Sequence, residues 1–420
     1  MSDASQPLRG VKVVDLTHVW SGPMATRVLA GLGADVIKLE SPKKPDTMRG
    51  NAGDIRSRYP DLEPGPDSYN RNAWFNTQNV DKRDVVLDLK DERGLKIVYE
   101  LVRQADLVIA NYRPGVLDRM GLGYQKLREV NPRIVLVEMP GYPPDSPLAA
   151  APAFGAQFDA QSGSANLTGS PSAPLLTGYA IGDPVGGLTA ASASIAAIIR
   201  AKKTGEGSHV MLAQSEAMMP LLGEYYLAES VGEPITEELN ADRRAEPHGI
   251  FRTADDGWLA IGVRTDEQWK VLHAELGSAA AGLDDSLTLE QRHAQNAAIA
   301  DAVTAYVGTL SDPHSAAQSL QQQGVPAAPV AGARQLVEDK HLAEHGVLRE
   351  MEHPAAGTHR YQALPTVIGG QRVGGRTPAP LYGQHTREVL TGLVGLDDPQ
   401  VDELIEAGVV RTAGGFLPNR

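Results

Sequence analysis

The segment IGDPVGG, residues 181–187, places one carboxylate among three glycines just ahead of an Ala-rich run. Two readings of Asp183 fit this setting. As a helix N-cap followed by Pro184 at the first helical position, it does what many helix starts do. As a reacting group, it has Gly182, Gly186 and Gly187 to admit a ligand closely. A helix amino terminus would also keep it ionised and hence nucleophilic. The two readings are compatible. A second segment, DLTHVWSGP at residues 15–23, offers His18, either a general base or a residue that hydrogen-bonds its own loop. Basic residues punctuate other loops: Arg49 in TMRG, Lys82 and Arg83 in NVDKRD, Arg113 and Arg119 in NYRPGVLDRMG. Together they suit a polyphosphate ligand. Each one alone reads equally as a solvated charge. Asn111 and Tyr112 close an apolar run and suit an adenine or ribose, with a plain turn as the rival.

Other chemistries are absent from the sequence. There are no cysteines among the 420 residues, which removes thiol nucleophiles, disulfides, zinc–thiolate sites and iron–sulfur clusters. No H-E-x-x-H, paired helical His or Asp-rich calcium loop occurs, and no G-x-S-x-G marks a nucleophilic serine. The first loop lacks G-x-G-x-x-G, so a dinucleotide reading is weak. Acidic residues number 52 against 39 basic, a formal charge of -13. That balance disfavours sequence-independent nucleic-acid binding, which must neutralise phosphates, yet allows a local basic pocket. MSDASQPLRG lacks the apolar run of a secretory signal, and no stretch reaches the roughly 20 apolar residues that span a bilayer. A cytoplasmic protein without a membrane partner is expected.

These residues need elements to hold them. GVKVVD (10–15) and DVIKLE (35–40) read as buried strands joined by a loop and a helical MATRVLAGLGA. The pattern continues with VVLDL, the helix DERGLKIVYELVRQA, the strand DLVIANY, a short helix YQKLREVNP and the strand RIVLVEM. Strand–helix alternation with continuous Val/Ile/Leu runs predicts a parallel sheet covered on both faces. His18 and Asn111 then fall at strand ends, where open α/β sheets bind ligands. Residues 41–69 and 143–184 read as long irregular segments, and GEGSHVMLAQ as a turn plus edge strand. Polar, acidic residues 225–248 read as a linker. FRTADDGWLAIGV predicts a hairpin turning at Asp-Asp-Gly. Residues 1–225 are assigned to a large Rossmann-like domain, 226–330 to a small α/β domain, and 331–420 to a C-terminal part returning to the large one.

The chain resembles the family III CoA-transferases, the group containing formyl-CoA:oxalate and carnitine CoA-transferases and α-methylacyl-CoA racemase. The likeness rests on PLRGVKVVDLTHVWSGP, LAGLGADVIKLE, NVDKRDVVLDL, ANYRPGVLDRMGLGY, NPRIVLVEMPGY, SGSANLTG, IGDPVGGLTAA, RAKKTGEGSHVML, GVPAAPV and APLYGQHTREVL, spread almost end to end. It implies that Asp183 is the nucleophile, attacking an acyl-CoA thioester to give a mixed anhydride and then an aspartyl-CoA thioester. It implies CoA contacts from His18, Val19, Trp20, Ser21, Lys82, Arg83, Asn111, Arg119 and Met120, with Arg49 and Tyr112 as additions. CoA is then a substrate, with no permanently bound cofactor, and a carboxylic acid is the other partner. The resemblance also implies an interlocked homodimer.

Departures narrow the reading. The racemases place a histidine where this chain has Phe154, which exchanges no proton. The formyl-CoA enzyme's first-loop glutamine is Trp20 here, and its glycine-rich lid has no counterpart near residues 240–248. These departures argue against oxalate and for a larger or less polar acyl group. The alternatives are an acyl-CoA racemase or isomerase using Asp183 as acid/base, or a CoA-binding homologue without catalysis.

Overall fold

Six strands form one parallel sheet: β1 (Lys12–Asp15), β2 (Asp35–Glu40), β3 (Arg83–Leu87), β4 (Leu107–Ala110), β5 (Val135–Glu138) and the edge strand β6 (Ser208–Met211). The C-terminal strand Val410–Arg411 adds antiparallel to β3, giving the order Val410–Arg411, β3, β2, β1, β4, β5, β6. Alternate residues face opposite layers. Val14, Ile37, Val85, Val108 and Leu136 join one buried cluster, while Val13, Val36, Leu107, Val135 and Val137 join another. Burial on both faces is why these strands read as unbroken apolar runs. The strand order reverses between β1 and β4. In a doubly wound sheet that crevice, at the carboxyl ends of the strands, is the ligand position. The computed structural model describes residues 5–50, 56–170, 172–233 and 240–414.

Helices α1 (Ser21–Gly31), α2 (Glu92–Gln104), α3 (Gly155–Gln161) and α4 (Gly182–Thr204) complete the part that matters for the site. The long helix α4 buries Gly186, Gly187, Ala190, Ala191, Ser194, Ala197, Ile198 and Ala201 along one stripe. Small residues let it lie close against α1. A Cβ on Gly187 would stand 2.5 Å from the Ser21 carbonyl oxygen and 2.8 Å from the Met24 Cβ. The helix ends at Gly205, whose φ of 79° is the left-handed conformation glycine adopts freely.

The chain divides into two compact units. One contains residues up to 162, 178–223 and 339 onward; the other contains 163–177 and 224–338. The second unit has a three-stranded antiparallel sheet, β7 (His248–Arg252), β8 (Trp258–Gly262) and β9 (Ala327–Pro329), with the hairpin turning at Asp256 and Gly257. Leu259, Ile261, Trp269, Leu272, Ile299, Val303 and Leu320 make its core. Two expectations need correcting. The linker over residues 225–248 includes most of the helix Gly223–Ser230. The irregular segment 143–184 contains α3 and the short helix Ser164–Leu167.

Candidate active site

Asp183 lies in the first turn of α4, but it is not the cap. The helix starts at Gly182, and the carboxylate of Asp159, on α3, accepts the backbone N–H groups of Ile181 at 3.1 Å and Gly182 at 2.7 Å. Asp159 thus does the capping that the sequence reading gave to Asp183. The Asp183 carboxylate is left to accept the backbone N–H groups of Gly155, at the start of α3, and Ser21, at the start of α1. Three helix amino ends therefore meet at one half-buried carboxylate.

Gly155 is required there by space. A Cβ on it would sit 2.3 Å from the Asp183 Oδ2 and 2.4 Å from the Ala180 Cβ. Burial raises the Asp183 carboxyl to about 6, and the like charge of Asp159 adds to the rise; the Gly155 and Ser21 N–H groups oppose it without prevailing. Desolvation outweighs these donors. At neutral pH the group is still mostly ionised, and it is more basic than an ordinary aspartate.

The first loop is built by buried polar residues. Asp15, fully buried, accepts the Thr17 N–H at 2.9 Å and the Thr17 and Thr26 hydroxyls at 2.6 Å each. Asp46 accepts the Val19 N–H at 3.1 Å and receives Lys38 Nζ at 3.0 Å. Val19 has a φ of 68°, a conformation that strains a β-branched residue by about 1–3 kcal/mol. The Asp46 bond holds that strained turn, which delivers Trp20 and Ser21 to the start of α1. Ser21 is buried, and among the described residues its hydroxyl has no hydrogen-bond partner. Across the crevice, the Asn111 side chain accepts the His18 N–H at 2.9 Å and donates to the His18 carbonyl at 2.8 Å. His18 Nε2 is 3.2 Å from the Tyr112 hydroxyl. Burial holds the His18 imidazole below its ordinary pKa, aided by Lys38 and opposed by Asp46, which favours the neutral ring.

Residues 8–386 match the family described as CoA-transferase family III. The chain belongs to that family. A formyl-CoA:oxalate CoA-transferase of Streptomyces avermitilis is 31% identical over 425 residues, covering 97% of this chain and 100% of the relative. A succinyl-CoA:glutarate CoA-transferase of Mus musculus is 29% identical, covering 97% and 91% respectively. The crystal structure of a CAIB/BAIF family protein from Brucella suis superposes with a TM-score of 0.79 at 25% identity, over 93% of this chain and 100% of that one. As a family III member the chain is an enzyme that transfers CoA.

The family III chain sorts its expected ligand residues into two sets. His18, Val19, Trp20, Ser21, Asn111 and Tyr112 come together at the carboxyl ends of β1 and β4. Arg119 and Met120 follow β4, with Arg119 exposed and Met120 packed on the core. The other cations each have a buried or internal partner. Arg49 is 1% exposed, donates to Glu40 at 2.8 Å and Asn70 at 3.1 Å, and stacks 3.6 Å over the Phe75 ring. Lys82 is enclosed by Asp15, Asn79 and the Pro23 carbonyl, and burial pulls its amine down to about 7 despite Asp15. Arg83 opens β3, at the sheet's amino edge, and pairs with Asp35 and Glu388. Sequence reasoning missed Asp159, Gly155, Asp46 and Lys38, because each acts on a partner in another element or loop. Among the described residues no group of three or more His, Cys, Asp or Glu is placed to hold a metal ion.

Proposed function

We propose that this enzyme moves CoA between two carboxylic acids with Asp183 as the covalent nucleophile. The observation that carries the reading is the Asp183 carboxylate itself. It is half-buried, held by two backbone N–H groups, and basic enough to attack a carbonyl while ionised at neutral pH. The carboxylate oxygen adds to the thioester carbonyl carbon and the C–S bond breaks, giving a mixed anhydride and CoA thiolate. The thiolate attacks the aspartyl carbonyl, releasing the first acid as carboxylate and forming aspartyl-CoA thioester. A second carboxylate reverses both steps. No net proton moves, so the site needs no acid/base partner.

In this reading the CoA lies along the crevice between β1 and β4, with His18, Val19, Trp20, Ser21, Asn111, Tyr112, Arg119 and Met120 as its contacts. The N–H groups of Gly155 and Ser21 position the nucleophile. No observation favours an isomerase: Phe154, adjoining Gly155, has no proton to exchange. An interlocked homodimer belongs to the same reading, supported by Leu188 and Ile199, which α4 leaves 48% and 49% exposed. So does a cytoplasmic setting. Incubation with an acyl-CoA followed by hydroxylamine should convert Asp183 to a hydroxamate detectable by peptide mass spectrometry. Asp183→Ala should abolish exchange while CoA still binds; exchange that survives the substitution rejects the assignment.

A further inference from the structure

We infer that the acid this site prefers is a monocarboxylate with an apolar, ring-sized or medium-chain body, and that Trp20 and Tyr179 set this preference. The inference rests on the transferase reading and narrows it to a substrate class. Three aromatic residues directly adjoin the backbone positions that surround Asp183. Trp20 precedes Ser21, Phe154 precedes Gly155, and Tyr179 precedes Ala180, whose Cβ crowds Gly155. Tyr179 is 74% and Phe154 60% exposed, and the Trp20 and Tyr179 rings meet edge to face at 6.1 Å between centroids. Large rings one residue away from the groups that hold a reactive carboxylate are suited to cover a substrate's apolar body.

Charge points the same way. A dicarboxylate such as oxalate or glutarate presents a second anion, and binding it in a half-buried site calls for a matching cation. Among the described residues Asp183 forms no ion pair, and the charged neighbour acting on it is another acid, Asp159. The cations under the first loop are already matched: Lys38 with Asp46, Lys82 with Asp15, Arg49 with Glu40. A second carboxylate close to Asp183 would lie where no cation acts on that group. The relatives named for oxalate and glutarate are about 30% identical, so their names do not transfer their acids to this chain.

Self-exchange tests the preference without knowing the physiological pair. Each acyl-CoA is incubated with its own 13C-labelled acid, and label entering the thioester is read by mass spectrometry. The set is phenylacetyl-CoA, octanoyl-CoA, succinyl-CoA, glutaryl-CoA and oxalyl-CoA, with the intact enzyme. Phenylacetate and octanoate should exchange with kcat/KM about 10- to 100-fold above the three dicarboxylates, the scale of discrimination an apolar pocket supplies. Trp20→Ala should remove about tenfold of that advantage through KM, Trp20→Phe should restore most of it, and Tyr179→Ala should act in the same direction. Dicarboxylates exchanging as fast in the wild-type enzyme would overturn the inference and leave the transferase reading intact. So would an unchanged ranking in folded Trp20→Ala and Tyr179→Ala, or a changed oligomeric state in place of a changed ranking. Absence of label exchange with every pair would remove the transferase reading and this one with it.

Discussion

At the scale of single residues, the Asp183 carboxyl has to be ionised to attack, and its environment sets the pH at which that happens. With the group raised to about 6 by burial, kcat/KM should fall as pH drops through 6, with a slope of one proton. A pH–rate profile measures this limb directly, and one centred near 4 would contradict the desolvation account. The same shift has a stability consequence. Below about pH 4 the group is protonated in both folded and unfolded chains, so nothing is lost. Between pH 4 and 6 the unfolded chain ionises first, and the folded state is penalised by up to about 3 kcal/mol once the pH passes 6. Asp183→Asn should therefore melt higher than wild type at pH 7.5 and equally at pH 4, while losing exchange. Gly155 gives an independent handle. Gly155→Ala puts a methyl 2.3 Å from the Asp183 Oδ2. It should lower kcat by roughly 10²-fold, as expected when a reacting group shifts by an ångström, with circular dichroism unchanged.

At the scale of elements, the amino end of α4 depends on α3. Asp159→Ala removes the acceptor for two N–H groups and should cost about 1–2 kcal/mol in denaturant unfolding. Asp159→Asn keeps an acceptor oxygen but removes a like charge, so the acid limb of the rate profile should move below pH 6. How far the elements were legible follows from their burial. The β1 to β5 strands are buried on both faces, so Val and Ile runs announced them, and the crevice at His18 and Asn111 followed from strand order. Helix α3 buries only Gly155, Phe158 and Asp159 in seven residues, too few for a stripe to show in a Gly- and Ala-rich stretch. Helix Gly223–Ser230 has no buried residue, so its polar sequence resembled a linker. The internal partners of Arg49, Lys82 and Arg83 were illegible for another reason. An arginine that binds phosphate and one that neutralises Glu40 look alike until distant segments are brought together.

At the scale of the whole molecule, one buried charge network ties distant stretches of the large unit. Arg49 lies between Glu40 and Asp84, and burial with the neighbouring Glu40 charge raises the Asp84 carboxyl well above its usual range. Asp84 also accepts the Gly383 N–H at 2.6 Å, and the Tyr382 hydroxyl donates to the Ser41 carbonyl at 2.9 Å. Arg49→Met should cost about 3–5 kcal/mol by stranding buried carboxylates, with the CoA dissociation constant of the folded protein unchanged by calorimetry. Weakened CoA binding at intact stability would restore Arg49 to the ligand. The pairing of Val410–Arg411 with β3 reaches further still. During synthesis, β3 leaves the ribosome more than three hundred residues before the strand that covers its outer side. Over that interval the nascent polypeptide carries a bare strand border, a template for mispairing until residues 410 and 411 pair with it.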